Sequence, residues 1–225
     1  MSTIPLDPPA DATSLTYSTY RRLRAEVLSG RQKPGHKLKI QELSEQLEVS
    51  QGVIREALSR LAAERLVVAS PQRGFRVTPV TADEVRDLTV ARVEVELVCL
   101  RRSIARGDVA WEAGVVSALH QLNRTPSNPA ELDEGWIDAH TQFHDSLVRA
   151  CDSTWLLRVR EQLVVQGERY RWINVRMSDE SRDLREEHRE IADMAISRNV
   201  ERTCELVEHH LRHTETLTLR SLGAD

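Results

Sequence analysis

The 225-residue chain predicts a mainly α-helical protein, with an N-terminal winged helix-turn-helix unit followed by an all-helical bundle of about six helices. Three observations carry that expectation. Apolar residues recur at three- and four-residue steps along most of the chain. Strand-like runs are confined to "LVVAS" and "FRV", on either side of a Pro-to-Gly turn. Charge is divided: residues 16–78 hold 12 Lys+Arg against 6 Asp+Glu, whereas residues 79–225 hold 19 against 27. A basic first third joined to an acidic remainder fits a chain whose first part meets a polyanion and whose second part does not. The expected divisions are a disordered arm at residues 1–13, a winged helix-turn-helix unit at 14–78 and a helical unit at 79–225.

Composition narrows the class. Hydrophobic content of 40% and charged content of 29% describe an ordinary soluble chain. No apolar run approaches the roughly 20 residues that span a bilayer. The opening "MSTIPLDPPADATS" has neither a basic residue nor an apolar stretch, so it reads as a Pro-rich arm rather than a secretory signal. Cys99, Cys151 and Cys204 are odd in number and fit no disulfide or zinc-finger spacing. Buried free thiols in a reducing cytoplasm are expected.

In chain order, "SLTYSTYRRLRAEVLSG" is a first helix with Leu15, Tyr20 or Thr19, Leu23 and Val27 inward, stopped by Gly30. "KPGHKL" reads as a turn around Pro34-Gly35. "KIQELSEQLEVS" turns Ile40, Leu43 and Leu47 inward. After the short "EVS" the period restarts, with Ser50 as N-cap and Ile54, Ala57, Leu58 and Leu61 inward. Two short helices joined by a tight turn form the helix-turn-helix pattern. Burial of that stripe leaves Gln51, Gly52, Arg55 and Ser59 pointing outward. Gly52 permits close approach to a phosphate or base edge, Arg55 suits guanine or phosphate, and Gln51 suits adenine or a backbone oxygen. The hairpin "LVVAS-PQRG-FRV" is a wing offering Arg73 and Arg76 to the backbone or minor groove.

The stretch "LSGRQKPGHKLKIQELSEQLEVSQGVIREALSRLAAERLVVASPQRGFRV" resembles the winged helix-turn-helix of the GntR family of bacterial transcription regulators. The resemblance rests on "PG..L", "ELSEQL.VS", "VIREALSRL" and the "RG" wing tip. It implies double-stranded operator DNA as partner, contacted by Ser50, Arg55 and the Arg73-Gly74 tip. Gln51 replaces a usually basic residue and Gln41 stands where an arginine is frequent, so the usual guanine-centred half-site is not implied. Glu48 and Arg65 fall where the family tends to have glycine. Left-handed backbone there would cost roughly 1 kcal/mol each.

From Thr81 onward only helical signals remain. Thr81 with Glu84 three residues later makes a capping box, Asp108 opens a second helix and Ser153 caps a fourth. Short connections argue for a compact antiparallel bundle.

Histidine placement sets this bundle apart. The third bundle helix turns Ile137, His140, His144, Leu147 and Cys151 inward, with Val148 beside them; an i, i+4 pair shares a face. The fifth turns Leu184, His188, Ile191 and Ala195 inward. The last turns Thr203, Leu206 or Val207, His210, Thr214 and Leu217 inward, leaving His209 and His213 on the flanks. Four imidazoles from three helices thus aim at one interior. Unpartnered buried polar groups cost on the order of 1–3 kcal/mol each, and charging several would set like charges together. A divalent transition metal satisfies neutral imidazoles at once.

"RVEVEL", "FHDSLVRACDS", "EEHREIADMAI" and "HHL" are similar, in order, to the FCD ligand-binding domain of the FadR-type branch of GntR regulators. That domain binds a divalent metal through an Asp four residues before the "FH" histidine and three further histidines. The positions here are His140 in place of the Asp, then His144, His188 and His210. Loss of a hard oxygen donor favours zinc, with nickel or copper as alternatives. Asp138 is two residues off the stripe. The resemblance implies a regulator that senses a small organic acid. It also places Arg92 towards the pocket, where it either clamps a carboxylate or pairs with Glu96 one turn along its own helix.

The expected mechanism is a homodimer on a palindromic operator, with effector binding transmitted through Val77–Val80. One alternative is a metal-sensing repressor in which the ion is the signal. A metal-dependent hydrolase is the remote one, disfavoured because no carboxylate on these stripes is placed as a general base.

Overall fold

In this computed structural model, residues 15–70, 74–126, 134–174 and 183–224 are described. The expected arm at residues 1–13 lies outside them, as does Arg73. The chain divides into two compact units, Met1–Val80 and Thr81–Asp225.

The first unit contains α1 (Leu15–Leu28), β1 (Lys37–Leu38), α2 (Ile40–Leu47), α3 (Gln51–Ala63), β2 (Val67–Ser70) and β3 (Gly74–Val77). Its core is built on Leu23, Leu43, Ile54, Leu58, Leu61 and Leu66, with the apolar faces of α1 and α3 packed together. Leu15, expected inward, is 58% exposed. It occupies the first position of α1, one turn before the packed residues Thr19, Leu23 and Val27.

The turn between α2 and α3 carries its own hydrogen bonds. Glu48 takes a left-handed conformation (φ 55°) and donates its N–H to the Ser44 carbonyl. The Ser44 hydroxyl donates to the Val49 carbonyl at 2.6 Å, and the Ser50 hydroxyl accepts from the Val53 amide at 3.4 Å. Arg65 is left-handed as well (φ 59°) and leads α3 into the wing.

The wing is three-stranded, in the order β1-β3-β2. Val67 pairs with Val77 and Ser70 with Gly74, as a hairpin requires. Lys37–Leu38, read from sequence as part of a turn, is a third strand, with Lys37 opposite Arg76. Two residues are too few to show an alternating pattern. Leu38 is buried all the same.

The second unit is a bundle of six helices among the described residues: α4 (Ala82–Arg106), α5 (Val109–Arg124), α6 (Glu134–Val148), α7 (Thr154–Asn174), α8 (Leu184–Ile196) and α9 (Val200–Ser221). The caps agree with the local chemistry. The Thr81 hydroxyl accepts from the Glu84 amide, Asp108 from Trp111 and Ser153 from Leu156. The Glu84 carboxylate accepts from Arg169 of α7 at 3.2 Å.

Phe143, Leu147, Leu100, Val115, Ile191 and Ala195 form the centre of the core. Phe143 sits between the two histidine positions of α6 and is fully buried, so this stripe is wider than the sequence reading gave it. Arg198, left-handed at the α8–α9 turn (φ 62°), donates to the carbonyls of Ile104 at 2.6 Å and Gly107 at 2.9 Å and to Glu112. Its guanidinium also lies 4.9 Å from the centre of the Trp111 ring. One side chain thereby closes the end of α4 and the start of α5.

All three cysteines are buried and free. Burial, then the neighbouring Cys151, pushes the Cys99 thiol up to about 12. It is therefore protonated near neutral pH and a poor nucleophile. Native protein at pH 8 is expected to leave Cys99 unlabelled by a thiol reagent and to label it on unfolding, as peptide mapping would show.

A buried ion pair joins α4 to α7. Glu96 and Arg160 are 4% and 5% exposed, and Arg160 Nε donates to both Glu96 oxygens at 2.9 and 3.0 Å. Arg160→Met strands the Glu96 carboxylate and is expected to lower stability by about 3 kcal/mol. The double variant with Glu96→Leu should lose less than the single one in thermal unfolding.

Candidate metal centre and nucleic-acid interface

The four bundle histidines meet. His140 and His144 come from α6, His188 from α8 and His210 from α9. One ring nitrogen from each lies within 4.8 Å of the others. His140, His188 and His210 are buried, at 8%, 2% and 4% exposure, and His144 is partly buried. The Nε2 atoms of His140 and His144 are 3.2 Å apart. Donor chemistry fits a borderline-soft divalent ion: four imidazoles and no carboxylate among them. Asp138 is exposed, and no carboxylate joins the group among the described residues.

Surrounding side chains fix ring orientation. His210 Nδ1 lies 2.8 Å from Glu187 Oε2. With Nδ1 protonated it donates to that carboxylate and leaves Nε2 as the lone-pair nitrogen. The Trp136 ring stacks on His140, with centroids 4.9 Å apart. Phe143 meets His144 and His188 edge-on, at 5.3 and 5.1 Å. Sequence reading missed Glu187, which stands one residue before His188 and off the inward stripe. A carboxylate adjacent to an inward histidine was the available signal, but it cannot say which imidazole the carboxylate reaches.

A cavity of about 50 Å³ adjoins the imidazoles, lined among others by Arg92, Glu96, His140, His144, Arg160 and Thr214. That volume is room for a few water molecules. Arg92 lines it as the resemblance implied. Glu96 accepts from Arg160 of α7. Arg160 also donates to Asp145 at 2.6 Å, so its charge is compensated by two carboxylates. Gly167 of α7 makes room for Arg92, because a Cβ there would stand 2.3 Å from Arg92 Nη1. His209 is exposed and His213 partly so, both on the flank of α9.

In the first unit Gln51, Gly52, Arg55 and Ser59 are all exposed along one side of α3, with Ser50 at its start. The Ser59 hydroxyl donates to the Arg55 carbonyl at 2.8 Å. Gln41 on α2 is exposed and donates to Glu45 at 3.1 Å. A Cβ at Gly52 would meet only Ser50 Oγ, at 3.7 Å, so the fold does not need glycine there and the space it leaves faces outward. Gly74, at the wing tip, takes φ +82°, which favours glycine. Arg76 is exposed and donates to the Gly35 carbonyl at 3.1 Å.

A winged helix-turn-helix with an outward polar recognition helix, joined to a helical bundle with a central histidine cluster, defines the class as a two-unit DNA-binding regulator. The chain matches the bacterial regulatory proteins of the gntR family over residues 15–77 and the FCD domain over residues 87–213. It belongs to the GntR family and is a bacterial DNA-binding transcription regulator with an FCD domain.

Among its relatives is the HTH-type transcriptional regulator BphR of Paraburkholderia xenovorans, 41% identical over 208 residues, covering 91% of this chain and 85% of that protein. The HTH-type transcriptional repressor GlaR of Escherichia coli is 35% identical over 199 residues, covering 85% and 90%. The structure of Escherichia coli McbR shares the fold with a TM-score of 0.74 at 20% identity, covering 93% of this chain and 99% of that one. No helix among the described residues is long and apolar enough to cross a membrane.

Replacing exposed Arg55 by Ala removes an outward charge without opening the core. Operator affinity is expected to fall by about 1–3 kcal/mol in a gel-shift titration, with unchanged thermal unfolding. Gly52→Ala should likewise leave stability intact while weakening DNA binding.

Proposed function

We propose that the bundle binds a divalent transition metal, with zinc favoured over nickel and copper, through His140, His144, His188 and His210, and that the adjoining cavity senses a small organic acid that tunes operator binding. The single observation supporting this reading is the convergence of four ring nitrogens within 4.8 Å, from three helices. When bound, the ion supplies a concentrated positive charge that offsets the desolvation of a carboxylate. The cavity's small volume favours a short-chain acid. Arg92, which lines the cavity and lies against Gly167, would be the cation for the acid's carboxylate in this reading. Arg160 is scaffolding, because Glu96 and Asp145 already hold it. Glu187, bonded to His210 Nδ1, orients that ring.

In this reading the regulator is a homodimer whose two recognition helices meet the halves of a palindromic operator. Binding of the acid changes operator affinity by a coupling of about 1–3 kcal/mol, roughly 5–150-fold.

A second reading has support from the donor set itself. Four imidazoles complete a tetrahedral shell, and an ion so enclosed can be the signal. Chelation and re-addition of metal, with no acid present, separates the two. A change in operator affinity favours ion sensing, whereas a change only on adding an acid to metal-loaded protein favours acid sensing.

Purified protein is expected to carry about one equivalent of metal by elemental analysis, and His188→Ala to lose it with the helical content retained. Arg55→Ala should keep its metal. If both variants lose both metal and DNA binding, the division of labour between units is wrong. Glu187→Gln keeps all four ligands and should weaken metal binding about 10–100-fold in competition with a chelator.

A further inference from the structure

We infer that the outward face of the three-stranded sheet is a further, sequence-independent DNA contact, in which Lys37 of β1 joins Arg76 of β3 in holding phosphates beside the wing tip. Sequence reading placed Lys37 in a turn and gave it no role.

The sheet brings the two cations together. In the order β1-β3-β2, Arg76 stands directly opposite Lys37 on one side and Val68 on the other. Residues paired across neighbouring strands project to the same face. All three are exposed, whereas Leu38 and Val77, next to Lys37 and Arg76 in the chain, are buried. Like charges directly opposite one another weaken a sheet, and among the described residues neither cation pairs with a carboxylate. Lys39 differs, since it meets Glu42 at 2.6 Å. One lysine on an edge strand is enough to discourage pairing with another chain. Edge protection therefore does not explain a second cation set against the first.

The strip is also held in place. The Gly35 N–H donates to the Val77 carbonyl at 3.0 Å and the Val77 N–H to the His36 carbonyl at 2.9 Å. Arg76 Nη1 donates to the Gly35 carbonyl at 3.1 Å. The turn before β1 is thereby tied to β3, and a guanidinium that spends one N–H on a carbonyl keeps its others for a ligand. A fixed pair of cations without counter-charge suits a polyanion.

Position selects which polyanion. Arg76 is two residues, about 7 Å, from Gly74 at the wing tip. A Cβ on Gly74 would stand 4.0 Å from the Leu38 carbonyl, so the tip lies against β1 as well. Lys37 and Arg76 thus continue the wing of a DNA-binding unit, within reach of duplex phosphates next to the tip. A lysine ammonium meets phosphate as a point charge and reads no base, so the contact adds affinity without sequence preference.

Salt dependence tests this, with a fluorescein-labelled random-sequence duplex of about 30 base pairs as probe and anisotropy as readout. Each phosphate neutralised contributes about 0.9 to the slope of log K against log salt. Lys37→Gln should reduce the slope by about 0.9 per bound chain, and the K37Q/R76Q double variant by about twice that, with thermal unfolding of K37Q unchanged. Lys37→Arg should keep the wild-type slope. So should Lys39→Gln, whose charge Glu42 already takes. The inference is overturned if folded K37Q keeps the wild-type slope, or if K37R loses as much as K37Q. It is also overturned if K39Q lowers the slope as far as K37Q, which would mark a general charge effect. Failure of the wild type to bind the random duplex at about 50 mM salt overturns it too.

Discussion

Four imidazoles occupy positions on α6, α8 and α9 where helix periodicity calls for leucine or valine, and much of the bundle's design follows from accommodating them. Around the rings the packing is dense and apolar: Phe143, Leu147 and Ile191 are buried beside them. Aliphatic and phenyl side chains offer no hydrogen bonds, and each unpaired buried polar atom would cost on the order of 1–3 kcal/mol. Glu187 serves His210, and the four rings together are arranged so that one ligand can be shared among them. Ring contacts among all four, with centroids between 4.6 and 5.9 Å, make them one unit rather than four isolated substitutions.

That unit is held by charge outside it. Glu187 takes His210 on one side. On the cavity side, Arg160 is fixed between Glu96 and Asp145, which ties α4, α6 and α7 together where they border the histidines. A guanidinium with two carboxylates satisfies its neighbours without leaving a net positive charge beside the imidazoles. Arg198 performs the comparable task at the other end of α4, where freed carbonyls need donors.

Much of this was legible in the sequence because period-3.6 patterning reports burial directly. His140, His144, His188 and His210 were assignable to one interior from their spacing to Leu147, Ile191 and Leu217, and the six helices from caps such as Thr81 and Asp108. What escaped depends on contacts between distant segments. Strand β1 exists because Leu38 finds a place beside β3, not because two residues prefer to be extended. The Arg160 partner of Glu96 is 64 positions away, so local spacing could not reveal it. Phe143 was hidden by its neighbours, since attention to an i, i+4 histidine pair obscures an equally inward residue between them. Gly167 looks like a helix defect until Arg92 is seen lying against it.

The first unit shows the opposite economy. Glu48 and Arg65 keep left-handed backbone without glycine, at roughly 1 kcal/mol each, and both flank the recognition helix. Their conformations are enforced rather than preferred: Ser44 bonds on both sides of Glu48, through its carbonyl to the Glu48 amide and through its hydroxyl to the Val49 carbonyl. After Arg65, Leu66 is fully buried and its amide bonds the Leu61 carbonyl. A turn held by hydrogen bonds and core packing presents α3 in one orientation even where the local residues disfavour it. DNA recognition needs that rigidity, because a side chain on such a helix reads a base edge only from a fixed distance. The bundle can then concentrate its polar chemistry on a ligand, while the head spends its exposed polar groups on the double helix.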